Sequence, residues 1–278
     1  MGRRRRSEGC DSRIYRALEH QRVTLADKQI VDSQALVVSV FKEFRKELLS
    51  VFGNVENTNK SDLSPVTVYD VKVEQTLRDR LAKAFPEMGF EGEETGRSGN
   101  ADTYWLVDPI DGTSSFIRGL PFSTNMAALV HDGYVIAAVV YDFLNDFLYT
   151  AIKGQGAYKN GTPIWINTLR DQGNLFMYSL TRRRFGHIQE ALSQLRIRTM
   201  LPIGASGHAY MMLAEGKIDG IINFTIARGL HDNAPGVFIC EEAGAVMLPF
   251  DDKKGVERSL FIIGSPHVVE LIEHSGLL

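Results

Sequence analysis

Trp105-Leu106-Val107-Asp108-Pro109-Ile110-Asp111-Gly112-Thr113 is the stretch on which the reading of this chain turns. An apolar run leads straight into two aspartates separated by Pro109 and Ile110, with Gly-Thr behind them. Tyr104 to Val107 predicts a short strand of the fully buried type. Pro109 is expected to fix the backbone at the turn that follows, and Gly112 to let a ligand approach the main chain closely. Two carboxylates converging at a strand end repel one another unless a cation lies between them. Asp-Gly is also common in surface turns, so this stretch alone fits either a plain Asx turn or a ligand site.

Outward from it the chain reads as mixed α and β. Upstream, apolar residues recur at steps of three and four from Ser12 to Phe52, which predicts two helices broken near Leu25 to Lys28. A polar loop is expected over Asn54 to Ser64, then a helix from Val68 to Phe85, stopped by Pro86. Downstream, β-rich runs at Asn125 to Val130 and Tyr134 to Asp142 flank Asp132-Gly133, a strong hairpin signal. Phe147 to Ala151 and Gly156 to Lys159 continue the sheet. From about Asn174 strands alternate with helices, the pattern of a second α/β unit. The expected division is an Arg-rich, disordered tail over 1–10, an α+β subdomain over 11–170, and an α/β subdomain over 171–278.

Composition sets the outer bounds. With 44% hydrophobic and 23% charged residues among 278, the chain is neither disordered nor fibrous. The net charge of −3 falls to −7 without Arg3 to Arg6, so the body is mildly acidic and is not a built-in polyanion binder. Two cysteines, Cys10 and Cys240, give no disulfide framework, which fits a reducing compartment. No apolar run suits a membrane span and no apolar segment follows the arginines as in a secretory signal. A cytoplasmic protein without membrane contact is expected.

Two further acidic clusters bear on the first. Gly92-Glu93-Glu94 follows the apolar approach Met88-Gly89-Phe90, and by itself reads as an exposed acidic turn. His231-Asp232-Asn233-Ala234-Pro235-Gly236 opens a helix ending Glu241-Glu242-Ala243-Gly244, and by itself reads as a helix N-cap. Asp70, after Ser64-Pro65-Val66-Thr67, fits a first-turn helix charge.

In this order, and together with Gly154-Gln155-Gly156-Ala157 and Asn160-Gly161, these segments resemble the inositol monophosphatase family of Mg²⁺-dependent, lithium-sensitive sugar phosphatases. The resemblance runs from about 60 to 245. It implies a layered α-β-α-β-α sandwich, an α/β fold of the inositol monophosphatase and fructose-1,6-bisphosphatase type, and a homodimer. It places metal ligands on Glu93, Asp108, Asp111, Asp232 and the carbonyl of Ile110. All are hard oxygens, suited to two or three Mg²⁺ and unlike a thiolate zinc site. It gives Thr113 and Glu93 the attacking water, with Asp70 accepting from Thr113. Backbone N–H groups of Gly112 and Thr113 would face the phosphate. Substrate contacts would fall on Asp111, Ser206, Asn223 and Asp232, and Lys60 on the family's mobile metal loop.

The chain departs from the family pattern at two places. His231 stands where Trp is usual and is taken as a packing substitute rather than a ligand. Asp219 to Asp232 is two residues longer than in inositol-hydrolysing members, with Asn223 in place of a Glu that contacts inositol hydroxyls. Arg182-Arg183-Arg184 and Arg228 read as surface charge, or as the grip on a second phosphate. The expected activity is hydrolysis of a small phosphorylated polyol or sugar. Fructose-1,6-bisphosphate, adenosine 3′,5′-bisphosphate and histidinol phosphate are alternatives. A rival of another class is a regulatory member that binds RNA or protein through its Arg-rich start, although nucleic acid is not an expected partner.

Overall fold

Nine consecutive buried residues, Thr103–Asp111, form the strand at the centre of the protein (β5). The computed structural model describes residues 27–61, 64–168, 175–179, 190, 192–195, 197–200, 204–223, 229–250, 252–257 and 260–275. The predicted helix before residue 25, the Arg-rich start, Cys10, Arg182 to Arg184 and Arg228 all lie outside the described residues, as do 187–189 and 191 of a stretch, His187 to Leu195, whose sequence predicts a helix.

The strand is longer than the sequence suggests. It runs on through Asp108-Pro109-Ile110-Asp111, so Pro109 sits inside a strand and not at a turn. A proline lacks the N–H that a ladder needs, and it is tolerated here because the register with the neighbouring strand slips between Asp108 and Asp111. The Asn125 side chain donates to the freed Pro109 carbonyl at 2.6 Å. This bulge is what turns both aspartates toward one point.

Around β5 the chain builds a sheet of eight strands. Two strands precede it: β3 (Gly89–Gly92), which lies parallel to β5, and β4 (Gly96–Ser98) at the edge. On the other side follow β6 (Thr124–His131), β7 (Tyr134–Asp142), β8 (Phe147–Ile152), β9 (Ala157–Lys159) and β10 (Thr162–Ile164), all antiparallel. The predicted hairpin turns are present, with left-handed backbone at Asp132 (φ 49°) and Gly133 (φ 79°).

Strand alternation gives each face of this sheet its own core. Trp105, Val107, Ala127, Leu129 and Val139 pack against helix α1 (Asp27–Val51) and helix α2 (Val68–Ala84). Met126, Ala138 and Val140 face the other way, onto α4 (Ser206–Ala214) and α5 (Leu230–Glu242); the short α3 (Thr113–Arg118) follows β5 directly. A second, mixed sheet covers α4 and α5. Its strands are β11 (Leu175–Ser179), β12 (Arg198–Met200), β13 (Gly220–Asn223), β14 (Val246–Pro249) and β15 (Phe261–Gly264), in the order β12-β11-β13-β15-β14. Ile222 and Ile262 on its far face pack on helix α6 (Pro266–His274) through Val268 and Ile272. The layers are therefore α-β-α-β-α. Residues on both sides of 170, such as Met126 and Ile263, share one buried cluster.

The stretch expected as a polar loop before α2 contains a small ribbon, β1 (Asn57–Asn59) paired with β2 (Pro65–Thr67). Lys60 lies in the connection between them. Among the described residues no helix is long and apolar enough to cross a membrane.

Candidate active site

Carboxylates converge where the bulged end of β5 meets the start of two helices. Asp108 and Asp111 come from the bulge, Glu93 from just beyond β3, and Asp232 from the first turn of α5. Asp108, Asp111 and Asp232 hold carboxylate oxygens within 4.8 Å of one another, and Glu93, Asp108 and His231 form a second such group. Asp232 is not the helix cap, which is Gly229, so it is spared for the cluster.

Asp108 carries the strongest sign of a missing positive charge. The residue is 2% exposed, and one carboxylate oxygen, Oδ1, is buried without a hydrogen-bond partner among the described residues. Burial pushes its carboxyl well above the usual range, and Glu93, Asp111, Asp232 and Asp70 push in the same direction. A carboxylate so placed is held either by a compensating cation or by taking up a proton. The carboxylate donors are hard oxygens, which fit Mg²⁺, and His231 adds a nitrogen to one of the two groups.

Asp111 is anchored from the opposite side. Its Oδ1 accepts the backbone N–H of Ser206 at 3.0 Å, and its Oδ2 accepts that of Gly207 at 2.7 Å and the Thr124 hydroxyl at 2.8 Å. It thus caps α4 from across the layer boundary, where the helix dipole favours an anion. Gly207 is needed there, because a Cβ would sit 2.4 Å from Thr124 Oγ1. Ser206, expected to touch substrate, is buried, and its hydroxyl donates to the Asp232 carbonyl at 2.6 Å.

Thr113 opens α3 behind Gly112, whose left-handed φ of 79° makes the turn out of β5. The Thr113 hydroxyl lies 3.2 Å from Asp70 Oδ1 and 2.9 Å from the Ile110 carbonyl. Asp70 is both things the sequence allowed. Its Oδ2 closes a capping box by accepting the Thr67 N–H at 2.8 Å, while Oδ1 reaches Thr113. Burial raises its carboxyl to about 6, against the lowering effect of hydrogen bonds from Thr67 and Thr113.

Lys60 bridges the acidic pair, 2.7 Å from Glu93 and 2.6 Å from Glu94. Burial alone would lower its pKa, but the bonds to both glutamates prevail and raise it. Glu94 is pushed up to about 7 by burial, in spite of Lys60. Asn223 is buried at the last position of β13, and the segment after it lies outside the described residues.

One residue escaped the sequence reading. Glu74, fully buried, accepts the backbone N–H of Glu94 at 2.9 Å and of Thr95 at 2.8 Å. A Cβ on Gly92 would meet its carboxyl carbon at 2.1 Å, so Gly92 and Glu74 form one unit that carries Glu93. The signal was available. Glu74 follows Asp70 by one helical turn, on the apolar stripe of Val73 and Leu77 where an unpaired acid has no place.

The profile of the inositol monophosphatase family matches residues 23–275. A protein of Rhizobium meliloti named inositol-1-monophosphatase is 29% identical over 257 residues, covering 85% of this chain and 92% of its own. One of Xylella fastidiosa named Nus factor SuhB is 30% identical over 227 residues, 77% of this chain and 82% of its own. The solved structure of an IMPase from Thermotoga maritima superposes with a TM-score of 0.76 at 24% identity, covering 88% of this chain and 98% of that one.

Proposed function

Because the chain belongs to the inositol monophosphatase family, we propose that it is a Mg²⁺-dependent phosphomonoesterase acting on a small phosphorylated polyol or sugar. The observation that carries the reading is the unpartnered Asp108 oxygen amid Glu93, Asp111 and Asp232, beside the Thr113–Asp70 pair. Glu93, Asp108, Asp111, Asp232 and the Ile110 carbonyl would hold the ions. Bound Mg²⁺ supplies the charge that neutralises a phosphate dianion and makes a coordinated water a nucleophile near neutral pH.

The remaining roles belong to the chain. With its proton given to Asp70, the Thr113 hydroxyl keeps lone pairs to accept from the attacking water, and Glu93 takes the other side of that water. The N–H groups of Gly112 and Thr113 precede the first hydrogen-bonded turn of α3 and are left to face phosphate oxygens. Asp111, held by α4, and Asp232 present the substrate hydroxyls with acceptors. Lys60 keeps Glu93 and Glu94 together.

A regulatory role without catalysis would not require this set of acids around one buried oxygen, although several relatives bear the name Nus factor SuhB. The test is phosphate release with and without Mg²⁺ from inositol 1-phosphate, fructose-1,6-bisphosphate, adenosine 3′,5′-bisphosphate and histidinol phosphate. Mg²⁺-dependent release from a monophosphate supports the reading. Preference for a bisphosphate would move the assignment to the alternatives, and no release from any of them would leave the regulatory reading ahead.

A further inference from the structure

His231 faces the acids as a donor would. Its Nε2 lies 3.7 Å from Glu93 Oε2 and 3.9 Å from Asp232 Oδ2, and it forms a ligand-sized group with Glu93 and Asp108. Two donors held at about 2.1 Å from one ion stand no more than about 4.2 Å apart, so both separations suit a shared ion as they are. The third donor needs one. Among the described residues Asp108 Oδ1, which is buried, has no hydrogen-bond partner.

The ring is also confined. Gly229, the cap of α5, leaves the space the imidazole occupies, since a Cβ there would lie 2.1 Å from His231 Cε1. A side chain that merely filled the place of Trp would need no nitrogen turned toward two carboxylates. We infer that His231 donates Nε2 to the divalent ion held by Glu93 and Asp108, so that this position prefers a first-row transition ion, Mn²⁺ included, to Mg²⁺. Imidazole strengthens binding of transition ions far more than that of Mg²⁺, whose coordination favours oxygen. The inference rests on the metal-centre reading above and goes beyond it in the ligand and the ion.

The full chain, stripped of metal, is titrated with Mn²⁺ alone and with Mg²⁺ alone by calorimetry. The Mn²⁺ form is then examined by electron spin-echo spectroscopy for nitrogen-14 modulation. The wild type is expected to show nitrogen coupled to Mn²⁺, and His231→Leu to lose it together with about 10-fold or more in Mn²⁺ affinity, Mg²⁺ affinity being little changed. Gly229→Ala, which keeps the imidazole but fills its space, is expected to weaken the same signal. A Mn²⁺ spectrum of the wild type without nitrogen overturns the inference, even if a variant fails to fold. Equal losses for both ions in His231→Leu overturn it as well. If the wild type binds neither ion, the metal-centre reading falls first and this one with it.

Discussion

Ser206 donates its backbone N–H to Asp111 Oδ1 at 3.0 Å, which fastens the inner helical layer to the strand that carries the candidate metal ligands. Asp108, three residues earlier on the same strand, has a buried oxygen with no hydrogen-bond partner among the described residues. The two acids therefore differ in what they do for the fold, though both belong to the same cluster.

Their amides should separate the two contributions. Asp111→Asn turns an NH₂ toward the N–H groups of Ser206 or Gly207, and is expected to cost about 1–3 kcal/mol of stability. Asp108→Asn removes the cost of burying an unpaired acid, whether that cost is met as a bare charge or as proton uptake, and should raise the melting temperature of the metal-free chain. Metal-dependent phosphate release should fall at least about 100-fold in both, equivalent to roughly 3 kcal/mol of barrier. Melts without metal, run beside the assay, check the opposite signs.

The metal-free chain should grow more stable as the pH falls from 7.5 to about 5. Asp70 and Glu94 are raised by burial to about 6 and about 7, so the folded state binds their protons more tightly than the unfolded chain does. Such groups contribute stability that is fully present below their unfolded values and is lost as pH rises through the folded ones. Saturating Mg²⁺ should reverse the slope, because it binds the deprotonated acids. Denaturant titrations at both pH values, with and without Mg²⁺, test the pair of signs.

Thr113→Val should lower kcat by about 10²–10⁴ with little change in KM, since the methyl can neither donate to Asp70 nor accept from water. Thr113→Ser should retain most of the rate. A loss confined to KM would place the hydroxyl on the substrate instead.

Glu74→Gln is expected to raise the Mg²⁺ concentration for half-maximal activity about 10- to 100-fold. The amide offers one acceptor where the N–H groups of Glu94 and Thr95 each require one, so the support beneath Glu93 is half removed. Substrate KM at saturating Mg²⁺ should stay as it is. An unchanged Mg²⁺ requirement with a lowered melting temperature would make Glu74 a fold residue only.

Much of this was legible in the chain because the site is built from short local units. Trp105 to Thr113 announced a buried strand ending in acids, and Asp132-Gly133 announced its turn through the left-handed backbone it adopts. The bulge was not legible. Whether a proline ends a strand or sits inside one depends on the partner's register, here on Asn125 reaching the Pro109 carbonyl. The partners of Glu74, whose place on an apolar stripe did show, and the facing of His231 were hidden for a like reason. Each takes its meaning from a residue distant in sequence, Glu94 for the one and Glu93 for the other.

The most direct test of the central claim is phosphate release from inositol 1-phosphate as Mg²⁺ is titrated back into metal-free chain, wild type beside Asp108→Asn. The account predicts saturable activation of the wild type and none of a variant that melts at the same temperature or higher. Activation of Asp108→Asn to the wild-type rate would contradict it.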